Sequence, residues 1–263
     1  MSTVQDILNK LTEPVEPLAS TVDGLEFGDA STVVTGIVTA FMATQEVLEQ
    51  ALAVGANLII AHEGTFYSHQ NKGVPWRENP VYRRKQALIQ ESGIAIYRFH
   101  DYLHRYQPDG IMIGLLQELG WTSYKIEHRP SASIVTIPTN TVREVAKWVK
   151  RKLDIPYVRV VGDISMPCSQ IGLLAGYRGG GTLSIPLFEE ANLDLVIAGE
   201  GPEWETPEYV RDAVHQRRRK ALILLGHAYS EEPGMKHLAK RIKDGFPGVP
   251  VRFISGKHVF QVV

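Results

Sequence analysis

Short runs of valine, isoleucine and leucine alternate with stretches of helical periodicity along nearly the whole chain. "VVTGIVTAF" (33–41) precedes "QEVLEQALAVG", "ANLIIAHE" (56–63) precedes "VYRRKQALIQES" (81–92), and "IAIYRFH" (94–100) precedes "GIMIGLLQELG" (110–120). Apolar runs too short for helices, each followed by apolar residues at three- and four-residue spacing, mark strands joined by crossover helices. That order restricts the chain to an α/β protein, and parallel strands are the expectation.

Local signals place the element ends. Thr44 is a predicted N-cap, Gly55 and Gly93 can close helices in the left-handed conformation, and Thr141 with Glu144 has the spacing of a capping box before "VREVAKWVKRKL". Further strands are predicted in "ASIVTIP", "YVRVVGD", "IGLLAG" and "LDLVIAGE". The end of the chain, "KALILLGHAYSEEPGMKHLAKRI" and "VPVRFIS", repeats the strand, loop, helix, strand order of the first block. The expected organisation is two interlocked α/β subdomains, 1–128 with 220–263 and 129–219. The sequence shows neither a solenoid period nor a low-complexity linker.

Composition narrows the function. With 263 residues, 44% hydrophobic and 22% charged, the chain carries enough apolar surface for a sizeable core. A net charge of -1 gives no electrostatic case for nucleic acid or an acidic membrane, and the run "RRRK" (217–220) reads as a solvated helix end. The single cysteine, Cys168, excludes an internal disulfide and a thiolate metal cluster, so a metal site would need histidine and carboxylate ligands. The opening residues have neither the order of a signal peptide nor a membrane-length apolar run after them. A soluble, cytoplasmic protein is the expectation.

In parallel α/β sheets ligands bind beyond the carboxyl ends of the strands. Three segments deliver metal-competent side chains there: His62-Glu63 after "NLIIA", His100-Asp101 with His104 after "IAIYRF", and His227 with Glu231 after "ALILLG". Four of the nine histidines fall in these contexts; His69, His128, His215, His237 and His258 show no carboxylate partner in the sequence. Imidazole with carboxylate suits zinc, iron or manganese, and a carboxylate can bridge two ions. Glu231 is the candidate bridge, with Ser230 expected to cap the helix that carries it. Two weaker features are "AGYRGGG" (175–181), whose backbone N–H groups and Arg178 could face an anion, and Glu200, which ends another apolar strand.

The segments "VDGLEFGD" (22–29), "VLEQALAVGANLIIAHEGTF" (47–66), "HDYLH" (100–104), "LDLVIAGE" (193–200) and "GHAYSE" (226–231) stand in an order that resembles the NIF-three-like family. The resemblance implies a NIF-three-like α/β fold, a hexameric ring and two divalent metal ions facing a central cavity; some members carry the name type 2 GTP cyclohydrolase I. The family usually has His-His where this chain has His62-Glu63, and His-Thr-x-x-Asp where it has His100-Asp101-Tyr102-Leu103-His104. Its Gly-His-x-x-x-Glu motif stands intact as Gly226, His227 and Glu231. Carried over, the metal ligands are His62, Glu63, His104, His227 and Glu231, a histidine and a carboxylate having exchanged places.

Two functions follow from this pattern. One is a hydrolase whose two ions activate water, acting on a small molecule that the resemblance suggests is a purine nucleotide, with His100 and Asp101 as acid and base or as orienting groups. The other is a metal-binding regulatory or scaffold protein without catalysis. An open coordination position separates the two, since structural sites are closed by protein ligands.

Overall fold

The protein is described by a computed structural model covering residues 1–70, 75–256, 259–261 and 263. His258 and the centre of the loop "GTFYSHQNKGVPWRENP" lie outside the described residues. The chain forms two compact units, one of Met1–Gly110 with Met235–Val259, the other of Ile111–Gly234 with Phe260–Val263. The segments 111–128 and 220–234, assigned to the first subdomain by the sequence reading, fall in the second unit.

The first unit contains α1 (Val4–Thr12), β1 (Gly24–Phe27), β2 (Ile37–Met42), α2 (Gln45–Ala53), β3 (Leu58–Glu63), α3 (Pro80–Ser92), β4 (Ala95–Arg98), α4 (Asp101–Arg105) and, near the C-terminus, β11 (Val251–Phe253). Its sheet runs β1-β4-β3-β2-β11, with β4, β3, β2 and β11 parallel and β1 antiparallel to β4. Leu58, Ile59, Ile60 and Ala61 are all fully buried, as a central parallel strand requires when both faces are covered. Val47, Leu48 and Ala51 of α2 and Tyr82 and Ile89 of α3 share one core with Ile59 and Ala61. Each fully buried aliphatic or aromatic side chain contributes roughly 1.5–3 kcal/mol. The Thr44 side chain caps α2, and Gly93 ends α3 at φ 65°. Burial continues past Ala61 to His62, which is itself fully buried.

The second unit contains α5 (Gly110–Leu119), β5 (Lys125–Arg129), β6 (Ala132–Thr141), α6 (Val142–Lys152), β7 (Arg159–Val161), β8 (Pro167–Leu174), α7 (Gly181–Glu190), β9 (Leu195–Ala198), α8 (Thr206–His215), β10 (Ala221–Leu224) and the start of α9 (His227–Gly245). A 3-10 turn, Gly176–Gly179, lies between β8 and α7. The sheet order is β5-β6-β8-β9-β10-β7. Here the expectation of parallel strands holds only for β8, β9 and β10; the β5–β6, β6–β8 and β10–β7 pairs are antiparallel. For β5–β6 the reason is local: the two strands are separated by two residues, which can only turn the chain back on itself. Thr141 and Glu144 make the expected capping box. Lys220 is buried with its ammonium on the carbonyls of Phe188 and Leu193, so the basic run 217–220 is not wholly solvated. Among the described residues no helix is long and apolar enough to cross a membrane.

Candidate metal centre

In the first unit three imidazoles converge at the carboxyl ends of β3 and β4. His62 is carried by β3, His100 immediately precedes α4, and His104 lies one turn along α4. Asp23 holds that short helix in place by accepting the backbone N–H groups of His100, Asp101 and Tyr102 at 2.8, 2.8 and 3.0 Å. Burial pushes the Asp23 carboxyl above its ordinary range, against those three donors. The rings of His62 and His100 stack with centroids 4.5 Å apart, and His104 stands edge-on to both at 4.9 Å. Each of the three offers a ligand atom within 4.8 Å of the others.

The partner of each Nδ1 fixes which nitrogen is offered. His62 Nδ1 lies 3.2 Å from the Phe99 carbonyl, His100 Nδ1 2.9 Å from Asp101 Oδ1, and His104 Nδ1 2.9 Å from Asp109 Oδ2. A carbonyl or carboxylate oxygen only accepts, so each Nδ1 carries a proton, and in the neutral ring Nε2 then keeps the lone pair. That is the tautomer a metal-binding histidine needs, and such outer acceptors orient ligating rings. Burial works against the ionised Asp101, yet the Val22 N–H and His100 hold its carboxyl below the usual range. Three imidazoles of fixed orientation fit a zinc- or iron-like divalent ion.

Glu63 lies beside this group. Its Oε2 is 2.9 Å from Nη2 of Arg98, a side chain 1% exposed, and its Oε1 is 3.7 Å from His100 Nε2. Arg98 Nη2 also donates to His69 Nδ1 at 2.9 Å, while Nη1 donates to the His69 carbonyl. His69, without an evident carboxylate partner in the sequence, thus has its Nδ1 3.5 Å from Glu63 Oε2. Glu63, His69 and His100 form a second group with metal-ligand spacing.

His227 and Glu231 belong to the second unit. Four residues apart on α9, they share a helix face, with Nε2 and Oε2 3.1 Å apart. His227 Nδ1 meets Glu200 Oε1 at 2.8 Å, so Glu200 is an orienting carboxylate rather than a free loop side chain. Burial alone would lower the His227 pKa; the hydrogen bonds and charges of Glu200 and Glu231 reverse this and push it up to about 10. The bond from His227 holds the Glu200 carboxyl below its usual range. Glu200 and Glu231 thus flank a partly buried imidazole and favour its protonated form, a positive charge that a metal ion at this position would replace.

Two local expectations are corrected in this unit. The helix begins at His227, so Ser230 is not its N-cap; Ser230 Oγ donates to the His227 carbonyl at 2.7 Å and accepts the Gly176 N–H at 2.8 Å. The backbone concavity expected in 175–181 is taken by the chain itself: Gly179 N–H donates to the Glu200 carbonyl and Gly181 N–H to the Glu205 carboxylate at 2.6 Å. Gly176, at φ 65°, is needed for room as well as conformation, since a Cβ there would sit 2.2 Å from Glu231 Oε1 and 3.2 Å from His227 Nε2.

Sequence reasoning missed Asp109, Asp23 and Arg98. Asp109 stands in "QPDG", a turn signal, and Arg98 is a single charge within an apolar strand; an arginine interrupting a buried run was the one available clue.

Known proteins resemble this chain over nearly its whole length. A GTP cyclohydrolase 1 type 2 homolog of Chlamydia trachomatis is 23% identical over 248 residues, covering 91% of this chain and 93% of the relative. The crystal structure of a Bacillus cereus protein related to NIF3 superposes with a TM-score of 0.79 at 15% identity, covering 100% of this chain and 99% of that one. A hypothetical protein of Staphylococcus aureus matches with a TM-score of 0.72 at 21% identity over 99% of both chains. The profile of one family matches residues 1–258: the chain belongs to the Duf34/NIF3 (NGG1p interacting factor 3) family.

Proposed function

We propose that the protein is a metal-dependent hydrolase, with two divalent ions held by His62, Glu63, His104, His227 and Glu231. The observation that carries metal binding is the fixed tautomer of the three imidazoles in the first unit, each with Nδ1 engaged by an acceptor. The assignment of His227 and Glu231 to the same pair of ions rests on the order of the motifs along the chain. A bound divalent ion supplies a water of lowered pKa and stabilises negative charge developing on the substrate.

The chain's own groups hold and orient. The Phe99 carbonyl, Asp109 and Glu200 aim the imidazoles of His62, His104 and His227, while Glu63 Oε1 and Glu231 supply negative charge. His100, paired with Asp101, serves as a further imidazole ligand or moves a proton between Nε2 and the substrate. The name of the Chlamydia relative supports a purine nucleotide as substrate, with hydrolysis at a carbon of the base.

Elemental analysis of protein purified without chelator tests metal binding, and the same preparations with GTP and related nucleotides, followed by the ultraviolet spectrum of the base, test catalysis. Close to two ions per chain, lost in His62→Ala with His104→Ala, together with ring hydrolysis, supports the proposal. Ions without hydrolysis of any nucleotide favour the non-catalytic metal-binding reading, and no ion removes both. Sedimentation velocity reads the six-copy assembly expected from the resemblance.

A further inference from the structure

The two metal-competent groups of the first unit are not equivalent. Around His62, His100 and His104 the partner of each Nδ1 is an acceptor, which turns the Nε2 side of each ring toward the group. Around Glu63 and His69 the partner is a cation. A single nitrogen, Arg98 Nη2, lies 2.9 Å from Glu63 Oε2 and 2.9 Å from His69 Nδ1.

We infer that the guanidinium of Arg98 is the resident cation of the Glu63–His69–His100 group, so that this group holds no metal ion and Glu63 faces the metal centre through Oε1 alone. The inference rests on the metal-binding reading above and concerns which side chains are ligands.

Three features carry it. A guanidinium is a permanent cation with donors only, so His69 Nδ1 must accept from it and His69 must carry its proton on Nε2. Neither nitrogen of His69 then offers a lone pair. Second, Arg98 is almost wholly buried on β4, and a buried charge persists where it is paired and hydrogen-bonded; Glu63 is its ion-pair partner and the His69 carbonyl a further acceptor. Third, a divalent ion at the same group would stand against that fixed positive charge, a few ångströms away. His69 is thus an acceptor for Arg98 and not a metal ligand, and Arg98, held by Glu63, limits the ions this unit can take.

The test uses the full chain saturated with zinc, desalted, and assayed for zinc per chain and for affinity by chelator competition. His69→Ala, at a half-exposed position, keeps the wild-type zinc count and affinity within twofold. Arg98→Met, which frees Glu63 and His69, gains one zinc per chain, and Arg98→Met with His69→Ala loses that gain. Loss of an ion in His69→Ala, or an unchanged count in a folded Arg98→Met protein, overturns the inference. Should Arg98→Met fail to fold by circular dichroism, the His69→Ala measurement decides alone. A wild type without zinc beside an Arg98→Met protein with one would sink the hydrolase proposal while supporting the role of Arg98.

Discussion

His104 Nδ1 lies 2.9 Å from Asp109 Oδ2, and both side chains are largely withdrawn from solvent. The carboxylate decides which nitrogen of His104 faces the other two imidazoles. An asparagine of the same shape can turn its NH2 toward Nδ1 and reverse the tautomer, moving the proton onto the nitrogen that should hold the ion.

Asp109→Asn is therefore expected to weaken metal binding by about 10–100-fold, the usual cost of losing an orienting partner. Chelator competition at pH 7 measures it, with circular dichroism confirming the fold. An affinity within twofold of wild type would show that His104 is not a ligand or that Asp109 does not orient it.

Much of the architecture around this pair was legible locally. The run Leu58 to Ala61 announced a central strand, and Thr44, Gly93 and the Thr141–Glu144 box each marked a helix end by chemistry contained within a few residues. His62, His100 and His104 were legible as strand-end side chains. What could not be read was every partner set by tertiary topology. Asp23 caps α4 from 77 residues away, and Glu200 meets His227 across 27. Asp109 is near in sequence but sits in a turn where aspartate is commonplace. The Arg98 clamp depends on a loop returning His69 over β4, which no periodicity encodes. In the second sheet "KIEHR" (125–129) has no apolar run to mark β5, so its antiparallel hairpin with β6 was not legible.

Gly176→Ala tests how closely the turn after β8 approaches the α9 ligands. A Cβ 2.2 Å from Glu231 Oε1 forces the carboxylate aside, and alanine at φ 65° is strained as well. The variant should lose about 1–3 kcal/mol in urea unfolding and bind divalent metal more weakly than wild type. Unchanged metal affinity would remove Glu231 from the ligand set.

Cys168 on β8 is 1% exposed, and burial, with the Asp194 charge adding to it, pushes its thiol up to about 11. Neither access nor thiolate is available to a reagent at pH 8. Aromatic disulfide reagents should label the native protein at least about 100-fold more slowly than the urea-unfolded chain, in which one thiol per chain reacts. Comparable rates would mean that the β8 region opens readily.

Lys85 gives a pH dependence of known sign. Its side chain is fully buried on α3, with Nζ donating to the Thr65 carbonyl and lying 5.3 Å from the centroids of the Phe66 and Tyr67 rings. Burial lowers its pKa from 10.5 to about 8, the Glu26 charge only partly opposing. Between pH 8 and 10.5 the unfolded chain therefore holds the lysine proton that the folded chain has released, so stability rises with pH across that window. At about 1.4 kcal/mol per pH unit the gain approaches roughly 3 kcal/mol. Other groups titrate there too, and Lys85→Met removes only this one. Urea unfolding of both proteins should show the stability of wild type relative to Lys85→Met increasing by up to that amount from pH 8 to 10.5. A difference that stays flat across the window would mean that Lys85 keeps its ordinary pKa, and hence that water reaches its ammonium.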